Sequence, residues 1–213
     1  MNVGVFVLGP FQENTYLLSD ATTGDAVFID PGDDGDALAD VVRTRELNLS
    51  AIWLTHAHID HIGGIAGLKR HFDVPIFLHP HDLPIYERAS DVAEMYQLPF
   101  EQPPTPERTL AEGDSVSIGS LSFRVMHLPG HAPGHVAFVG HDAAFVGDCL
   151  FAGSVGRTDL PFADAAQLEA SLERLASLPP ETRVLPGHGP ETTIGRERAS
   201  NPFLTGAARL LSR

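Results

Sequence analysis

The chemically richest part of the sequence is a six-residue segment with three histidines and an aspartate, His56-Ala57-His58-Ile59-Asp60-His61. In an extended strand, residues two apart point to the same side, so His56 and His58 can bind one metal ion. Where the chain turns into a helix, Asp60 and His61 can face a neighbouring position. The spacing therefore predicts a site for two metal ions.

Further metal-ligating side chains stand in three segments rich in turn residues: Pro129-Gly130-His131-Ala132-Pro133-Gly134-His135, Gly147-Asp148 and Pro186-Gly187-His188-Gly189-Pro190. Each segment follows a predicted strand, so its polar residues are presented on a short loop. Such loops can meet at one edge of a β-sandwich, where the two oxygens of Asp148 could bridge two cations. The spacing does not distinguish His131 from His135 as a ligand.

Short runs of β-branched and aromatic residues, bounded by glycine and proline, predict the strands that must position these loops. They cover residues 3–8, 14–18, 26–29, 51–55, 76–78, 116–118, 121–127, 135–139, 143–146 and 183–185. Helical periodicity predicts helices over 36–47, from Gly64 to about Phe72, in the middle of the proline-rich segment 80–106, over 164–178 and after Pro202. Because helices fall between blocks of strands, the order favours two sheets flanked by helices over a doubly wound parallel sheet.

The composition limits the classes of partner. The chain has 213 residues, a formal net charge of −14 at pH 7 and 43% hydrophobic residues. This acidity excludes general nucleic-acid binding and docking on anionic membranes, and it leaves small molecules or proteins as partners. The single cysteine, Cys149, cannot form an intrachain disulfide, and the apolar run from Val3 stops at Pro10, too short for a signal peptide. We therefore expect a soluble, cytoplasmic protein of one domain.

The motifs resemble the metallo-β-lactamase-fold superfamily, and more closely its glyoxalase II (hydroxyacylglutathione hydrolase) branch in the short type. The resemblance covers nearly the whole chain and adds three segments to those above: Gln12-Glu13-Asn14, Ile29-Asp30-Pro31-Gly32 and Gly156-Arg157-Thr158-Asp159. It implies an α/β (α+β) fold, namely a four-layer αββα sandwich of two mixed β-sheets flanked by helices. It also implies a single domain over residues 1–213, without the C-terminal helical glutathione-binding domain of full-length members.

The resemblance also implies a role for each polar residue. Two divalent metal ions, zinc first and iron or manganese as alternatives, are implied with these ligands: His56, His58 and His131 for the first ion, Asp60, His61 and His188 for the second, and Asp148 as the bridge. His135 then has a structural role, hydrogen-bonded near the site, and Asp30 belongs to the layer behind the ligands.

The implied activity is hydrolysis of a glutathione-type thioester such as S-lactoylglutathione to a hydroxy acid and a free thiol. The nucleophile would be a metal-bound hydroxide, held by the catalytic carboxylates Asp60 and Asp148. The residues that we expect to bind the substrate are basic or aromatic: Arg157, Arg196, Arg198, Tyr86 and Tyr96. We expect a monomer or a homodimer.

Two alternatives remain open. The histidine segment and residues 156–159 also resemble persulfide dioxygenases, in which positions corresponding to His56, His131 and Asp148 hold a single iron. The other alternative is a non-catalytic metal-binding protein that keeps the fold. For the remaining histidines, we expect surface positions or packed positions near the site: His71, His81 and His141 at the surface, His79 and His127 packed or behind the ligands.

Overall fold

Two six-stranded β-sheets dominate the computed structural model, which describes residues 1–210 of the chain. The strands are β1 (Asn2–Leu8), β2 (Glu13–Ser19), β3 (Asp25–Ile29), β4 (Asn48–Trp53), β5 (Ile76–Leu78), β6 (Arg108–Thr109), β7 (Ser115–Ile118), β8 (Leu121–His127), β9 (Val136–Gly140), β10 (Ala143–Gly147), β11 (Leu150–Phe151), β12 (Ser154–Val155), β13 (Arg183–Pro186) and β14 (Thr192–Thr193). The helices are α1 (Gly35–Thr44), α2 (Ile59–Ile62), α3 (Ile65–Lys69), α4 (Leu83–Glu87), α5 (Ala89–Met95), α6 (Ala165–Ala176) and α7 (Ile194–Ser200), with a 3₁₀ turn at Pro80–Asp82.

Each large sheet contains both parallel and antiparallel strand pairs. The first sheet runs in chain order from β1 to β6, antiparallel as far as β3 and parallel from β3 onwards. The second has the order β14-β13-β10-β9-β8-β7, in which the β10–β13 pair is parallel and the other pairs are antiparallel. β11 and β12 form a separate small hairpin. The predicted pair of mixed sheets is therefore confirmed.

Alternation of side chains along the strands divides the core into layers. In β2 and β3, Leu17 and Phe28 pack with helix residues, whereas Leu18 and Val27 face the second sheet. Trp53 lies between the sheets and is 1% exposed. Residues of α1 to α5 cover the outer face of the first sheet, and residues of α6 and α7 cover that of the second. These four layers confirm the predicted αββα sandwich.

Local sequence explains where α6 begins and which side it buries. The carboxylate of Asp164 accepts a hydrogen bond from the backbone N–H of Gln167 at 3.0 Å, which caps the helix. Leu168, Leu172 and Leu175 recur at helical spacing and are buried against the second sheet. None of the helices within residues 1–210 is long and apolar enough to cross a membrane.

The prediction of a helix after Pro202 is wrong, because the helix lies before that proline. The hydroxyl of Thr193 accepts a hydrogen bond from the backbone N–H of Arg196 at 3.2 Å and so starts α7. The helix stops before Asn201, whose φ of −70° and ψ of 122° are extended. Proline disfavours helical backbone in the residue that precedes it, so Asn201-Pro202 ends the helix, and residues 202–206 form turns.

The loops that follow β3, β4, β8, β10 and β13 meet at one edge of the sandwich. β2 of the first sheet supports the loop after β13, which belongs to the second sheet. The backbone N–H of Asn14 donates to the carbonyl of Gly187 at 2.7 Å. The Asn14 side-chain amide donates to the carbonyls of Pro186 and Gly189 at 2.9 and 2.8 Å. A strand of one sheet therefore fixes the loop of the other sheet that carries His188.

We expect Asn14→Ala to lower the free energy of unfolding by about 1–3 kcal/mol, because it removes the buried amide donors to two loop carbonyls. Urea denaturation followed by the fluorescence of Trp53 measures the change. The matched control is Asn2→Ala at the exposed start of β1, which we expect to change stability by less than about 0.5 kcal/mol. Equal stability of the two variants would contradict a supporting role for Asn14.

Candidate metal centre

Three histidines from two loops form the first group of potential metal ligands. His56 and His58 follow β4 and His131 follows β8, and their ligand nitrogens lie within 4.8 Å of one another. His58 Nδ1 is 2.9 Å from His131 Nε2. His131 Nδ1 donates to the carbonyl oxygen of Arg157 at 2.8 Å, so its Nε2 is the nitrogen that is free to bind a metal ion.

Asp60, His61 and His188 form the second group, again with ligand atoms within 4.8 Å of one another. Asp60 and His61 lie in the single turn of α2, immediately after His58, whereas His188 comes from the loop after β13. His188 Nε2 is 3.3 Å from Asp60 Oδ2. The segment from His56 to His61 therefore contributes residues to both groups.

Asp148, in the loop after β10, lies between the two groups. Its Oδ1 is 3.5 Å from His61 Nε2, and its Oδ2 is 3.5 Å from the Nε2 atoms of both His131 and His188. One carboxylate thus faces a nitrogen of the first group and two nitrogens of the second. From this position its two oxygens could bridge two cations.

Asp30 and His135 support the ligands from behind. Asp30 Oδ1 accepts from the backbone N–H of Thr55 at 2.7 Å, and its Oδ2 lies 3.0 Å from His61 Nδ1. His135 Nε2 accepts from the backbone N–H of Asp148 at 3.0 Å. Hydrogen bonds of this kind fix the orientation of a ligand, so both residues belong to the layer behind the potential ligands.

Close approach of the loops requires glycine at two positions of the motifs. A Cβ at Gly187 would overlap Asp148 Oδ1 and lie 2.7 Å from the His61 ring. Gly147 has a φ of 45°, in the left-handed region, and a Cβ there would overlap Thr55 Oγ1. The glycine before Asp148 and the glycine before His188 are therefore needed to bring these potential ligands together.

The polar atoms of the two groups fit a bound metal. Within residues 1–210, the buried side-chain atoms without a hydrogen-bond partner include His56 Nε2, His61 Nε2 and Asp148 Oδ1. An unpaired buried polar atom costs about 1–3 kcal/mol, and metal coordination would satisfy all three. Imidazole nitrogens and carboxylate oxygens also form a donor set that suits divalent zinc, iron and manganese.

The charges of the centre favour bound cations. Burial holds the pKa of His56 well below its usual value and lowers the pKa of His58 to about 3, so both rings are neutral and offer lone pairs. Burial alone would raise the pKa of Asp148. The charge of the facing His61 outweighs this effect and holds the pKa well below its usual range. Burial lowers the pKa of His188, but hydrogen bonds to two carboxylates raise it to about 10. The carboxylates therefore attract positive charge to the second group.

A cavity of about 480 Å³ opens onto the centre and is lined by Asp148 and by members of both groups: His58, Asp60, His131 and His188. Of the residues predicted to bind substrate, Arg157 and Tyr96 also line it. Arg157 forms hydrogen bonds of 2.6 Å to both carboxylate oxygens of Asp159.

The other predicted substrate residues lie elsewhere. Tyr86 is buried, and its hydroxyl donates to the carbonyl of Pro104 at 2.8 Å. Arg196 and Arg198 are exposed on α7. None of these three is among the residues described as lining the cavity. Arg88, which does line it, was missed: it stands in the proline-rich segment but belongs to no motif.

The remaining histidines lie outside the two groups. His79 and His127 stack at 4.2 Å between ring centroids, and the exposed His81 lies 4.8 Å from His79. His71 hydrogen-bonds Asp36 at 2.6 Å.

Asp82 was also missed by the sequence analysis. Its Oδ2 accepts from the backbone N–H of Ala57 at 3.0 Å, and its Oδ1 accepts from that of Gly134 at 2.5 Å. It therefore joins the loop of His56 and His58 to the loop of His131.

A model of the metallo-β-lactamase superfamily matches residues 8–188, a span that contains all members of both groups. The chain belongs to this superfamily. The chain is 38% identical to hydroxyacylglutathione hydrolase GloC of Haemophilus influenzae over 209 residues. The aligned region covers 96% of this chain and 98% of GloC.

Two solved structures support the assignment. TTHA1623 in a di-iron-bound form is 52% identical, with a TM-score of 0.88 over 95% of this chain and 100% of that chain. ETHE1 from Myxococcus xanthus is 29% identical, with a TM-score of 0.82 over 97% of this chain and 85% of that chain. Together with the two His/Asp groups, these similarities support a metallo-hydrolase of the metallo-β-lactamase superfamily.

We expect Asp82→Asn to lower the free energy of unfolding by about 1–3 kcal/mol, because one of the two buried N–H groups loses its acceptor. It should also weaken metal retention by about 10- to 100-fold, since Asp82 orients two ligand loops. Urea denaturation and competition with a chelator measure the two effects. The matched control is Asp73→Asn, a fully exposed carboxylate. Metal retention equal to that of the control would contradict an orienting role.

Proposed function

We propose that this protein is a glyoxalase II-like thioester hydrolase, which cleaves S-(hydroxyacyl)glutathione substrates such as S-lactoylglutathione. Water cleaves the acyl C–S bond. Its hydroxyl group joins the acyl carbon and its proton joins the sulfur, which gives a hydroxy acid and a thiol. The position of Asp148, 3.5 Å from nitrogens of both groups, is the observation that carries the proposal. The identity with GloC over nearly the whole chain supports it.

In this proposal His56, His58 and His131 would hold the first ion, Asp60, His61 and His188 would hold the second, and Asp148 would contribute to both. When bound, such a pair of ions would supply a hydroxide at neutral pH, by lowering the pKa of water toward about 7, and would polarise the thioester carbonyl. We propose zinc, and the donors are equally compatible with iron, which TTHA1623 contains as a pair, and with manganese.

The residues around the ligands fit this role. Asp60 and Asp148 place negative charge beside the cations and so position them, while Asp30 and His135 hold His61 and Asp148 in orientation. Arg88 and Arg157 line the cavity, and the guanidinium N–H groups that do not face Asp91 and Asp159 can donate to an anionic thiol substrate.

A thiol nucleophile is not needed for this reaction. Cys149 follows Asp148, but it is fully buried, and burial raises its pKa to about 12. The thiol is therefore protonated at neutral pH and is a poor nucleophile.

A small-molecule substrate and a cytoplasmic location are further parts of the proposal. The acidic charge supports a small molecule over nucleic acid or an anionic membrane surface. A single buried, free cysteine is typical of a reducing compartment. A monomer and a homodimer both fit this function.

One observation favours a second candidate, a persulfide dioxygenase with a single iron. His56 and His131 belong to one group of ligand atoms, and His131 Nε2 is 3.5 Å from Asp148 Oδ2, so a mononuclear His/His/Asp set is also present. The hydrolase remains our proposal because the second group, Asp60, His61 and His188, is complete. A metal-binding protein without either activity is the third alternative.

Metal analysis combined with activity assays tests the proposal. We expect two metal ions per chain, hydrolysis of S-lactoylglutathione, loss of activity on chelation and recovery when zinc or iron is restored. A single iron with oxygen consumption on glutathione persulfide would overturn the hydrolase and support the dioxygenase. Two bound metals with neither activity would support the non-catalytic alternative.

We expect His188→Ala to lose one of two metal equivalents and to lower kcat/KM by more than about 100-fold, since loss of a residue that only orients a ligand already costs 10- to 100-fold. Elemental analysis and thioester hydrolysis measure both effects. The matched control is His141→Asn, which replaces an exposed histidine by a residue that tolerates the positive φ of 53° at that position. Unchanged metal content in His188→Ala would rule out the dinuclear assignment.

A further inference from the structure

Many apolar side chains line the cavity that contains the candidate metal centre, and six of them belong to four parts of the chain. They come from the loop after β1, from α4, from the end of α5 and from the loop after β12. We call these six residues the apolar wall: Phe11, Ile85, Met95, Tyr96, Leu160 and Phe162. The apolar wall and the potential ligands His58 and Asp148 line the same cavity.

The wall contains most of the large apolar side chains that are exposed in the described part of the chain. In the part of the chain that the structure describes, the other exposed large apolar residues are Val5 and Val7 of the edge strand β1. Four wall residues are exposed by more than a third: Phe11 by 38%, Met95 by 81%, Tyr96 by 52% and Phe162 by 58%. Apolar side chains gathered in this way mark a binding surface, because leaving them in water is unfavourable.

The backbone and the ring packing show that the wall is organised. Phe162 has a φ of 68°, a left-handed conformation that a bulky residue adopts rarely and that persists mainly at functional sites. The rings of Phe11 and Tyr96 pack edge to face with their centroids 5.7 Å apart. Residues distant in sequence are thus held together at the mouth of the cavity.

We infer that the apolar wall binds the acyl group of the substrate, so that the preferred substrates are thioesters of an apolar acyl chain rather than of lactate. This inference rests on the proposed thioester hydrolysis and uses the same reaction, with a fatty acid as the acid product. The lactoyl group offers one methyl group and a hydroxyl, which would leave most of the wall in water. Glutathione carries charged groups at both ends, and these gain nothing from apolar contact.

A series of glutathione thioesters with acetyl, butanoyl, hexanoyl and octanoyl groups tests the inference on the metal-loaded protein, with S-lactoylglutathione as reference. We expect kcat/KM to rise about fourfold per added methylene, the value of burying one such group. A flat series with lactoyl preferred would overturn the inference and leave the proposed function intact. Hydrolysis of none of the five would instead overturn the proposed function.

A variant links the preference to the wall. We expect Phe162→Asn to lower the octanoyl-to-lactoyl ratio of kcat/KM by about tenfold, because it removes apolar contact. Asparagine tolerates the left-handed backbone, so the fold is retained. The matched control is Val7→Thr, at a residue that is 62% exposed but outside the cavity, and it should leave the ratio unchanged.

Two outcomes would contradict the assignment of the wall. An unchanged ratio in Phe162→Asn would show that the wall does not contact the acyl chain. A dimer in gel filtration that Phe162→Asn dissociates, with no dependence of rate on chain length, would show that the wall is covered by a second copy of the chain.

Discussion

Burial of the Asp148 carboxylate is the constraint on which the rest of the site depends. The residue is 8% exposed, and a charge removed from water in this way must be matched by hydrogen bonds or opposite charge. Its partners come from three loops, because His61 follows β4, His131 follows β8 and His188 follows β13. These loops can reach one carboxylate only if strands of both sheets end at the same edge. The sandwich, with its apolar interior between the sheets, satisfies this requirement.

Features set by neighbouring residues could be predicted from the sequence, and features set by distant contacts could not. The strand over Leu121–His127 follows from its alternation and its flanking turn residues, and the segment from His56 to His61 is itself a local motif. Asp82 is different, since its carboxylate joins Ala57 to Gly134 across long stretches of chain. Nothing in its immediate sequence indicates either partner. α7 is an exception, because the Thr193 cap and the proline that ends the helix are local signals, yet the helix was predicted on the wrong side of Pro202.

The substrate side of the cavity illustrates this limit. Side-chain chemistry favoured arginines and tyrosines as substrate-binding residues, but the fold places Arg196 and Arg198 on an exposed helix surface and packs the ring of Tyr86 into the core. The apolar wall is assembled from four segments with no shared pattern, and its members have an ordinary appearance in the sequence. Exposure in three dimensions distinguishes four of the six, because an exposed phenylalanine such as Phe162 is unusual only once its surroundings are known.

Each group of ligand atoms draws on both sheets. In the first group, His56 and His58 follow a strand of the first sheet and His131 follows a strand of the second. In the second group, Asp60 and His61 follow a strand of the first sheet and His188 follows a strand of the second. A bound cation would therefore act as a cross-link between the two halves of the chain, closing long loops much as a disulfide does in secreted proteins. A chain with one cysteine has no disulfide of its own to serve this purpose. Its folding yield in the cell would then follow the supply of metal.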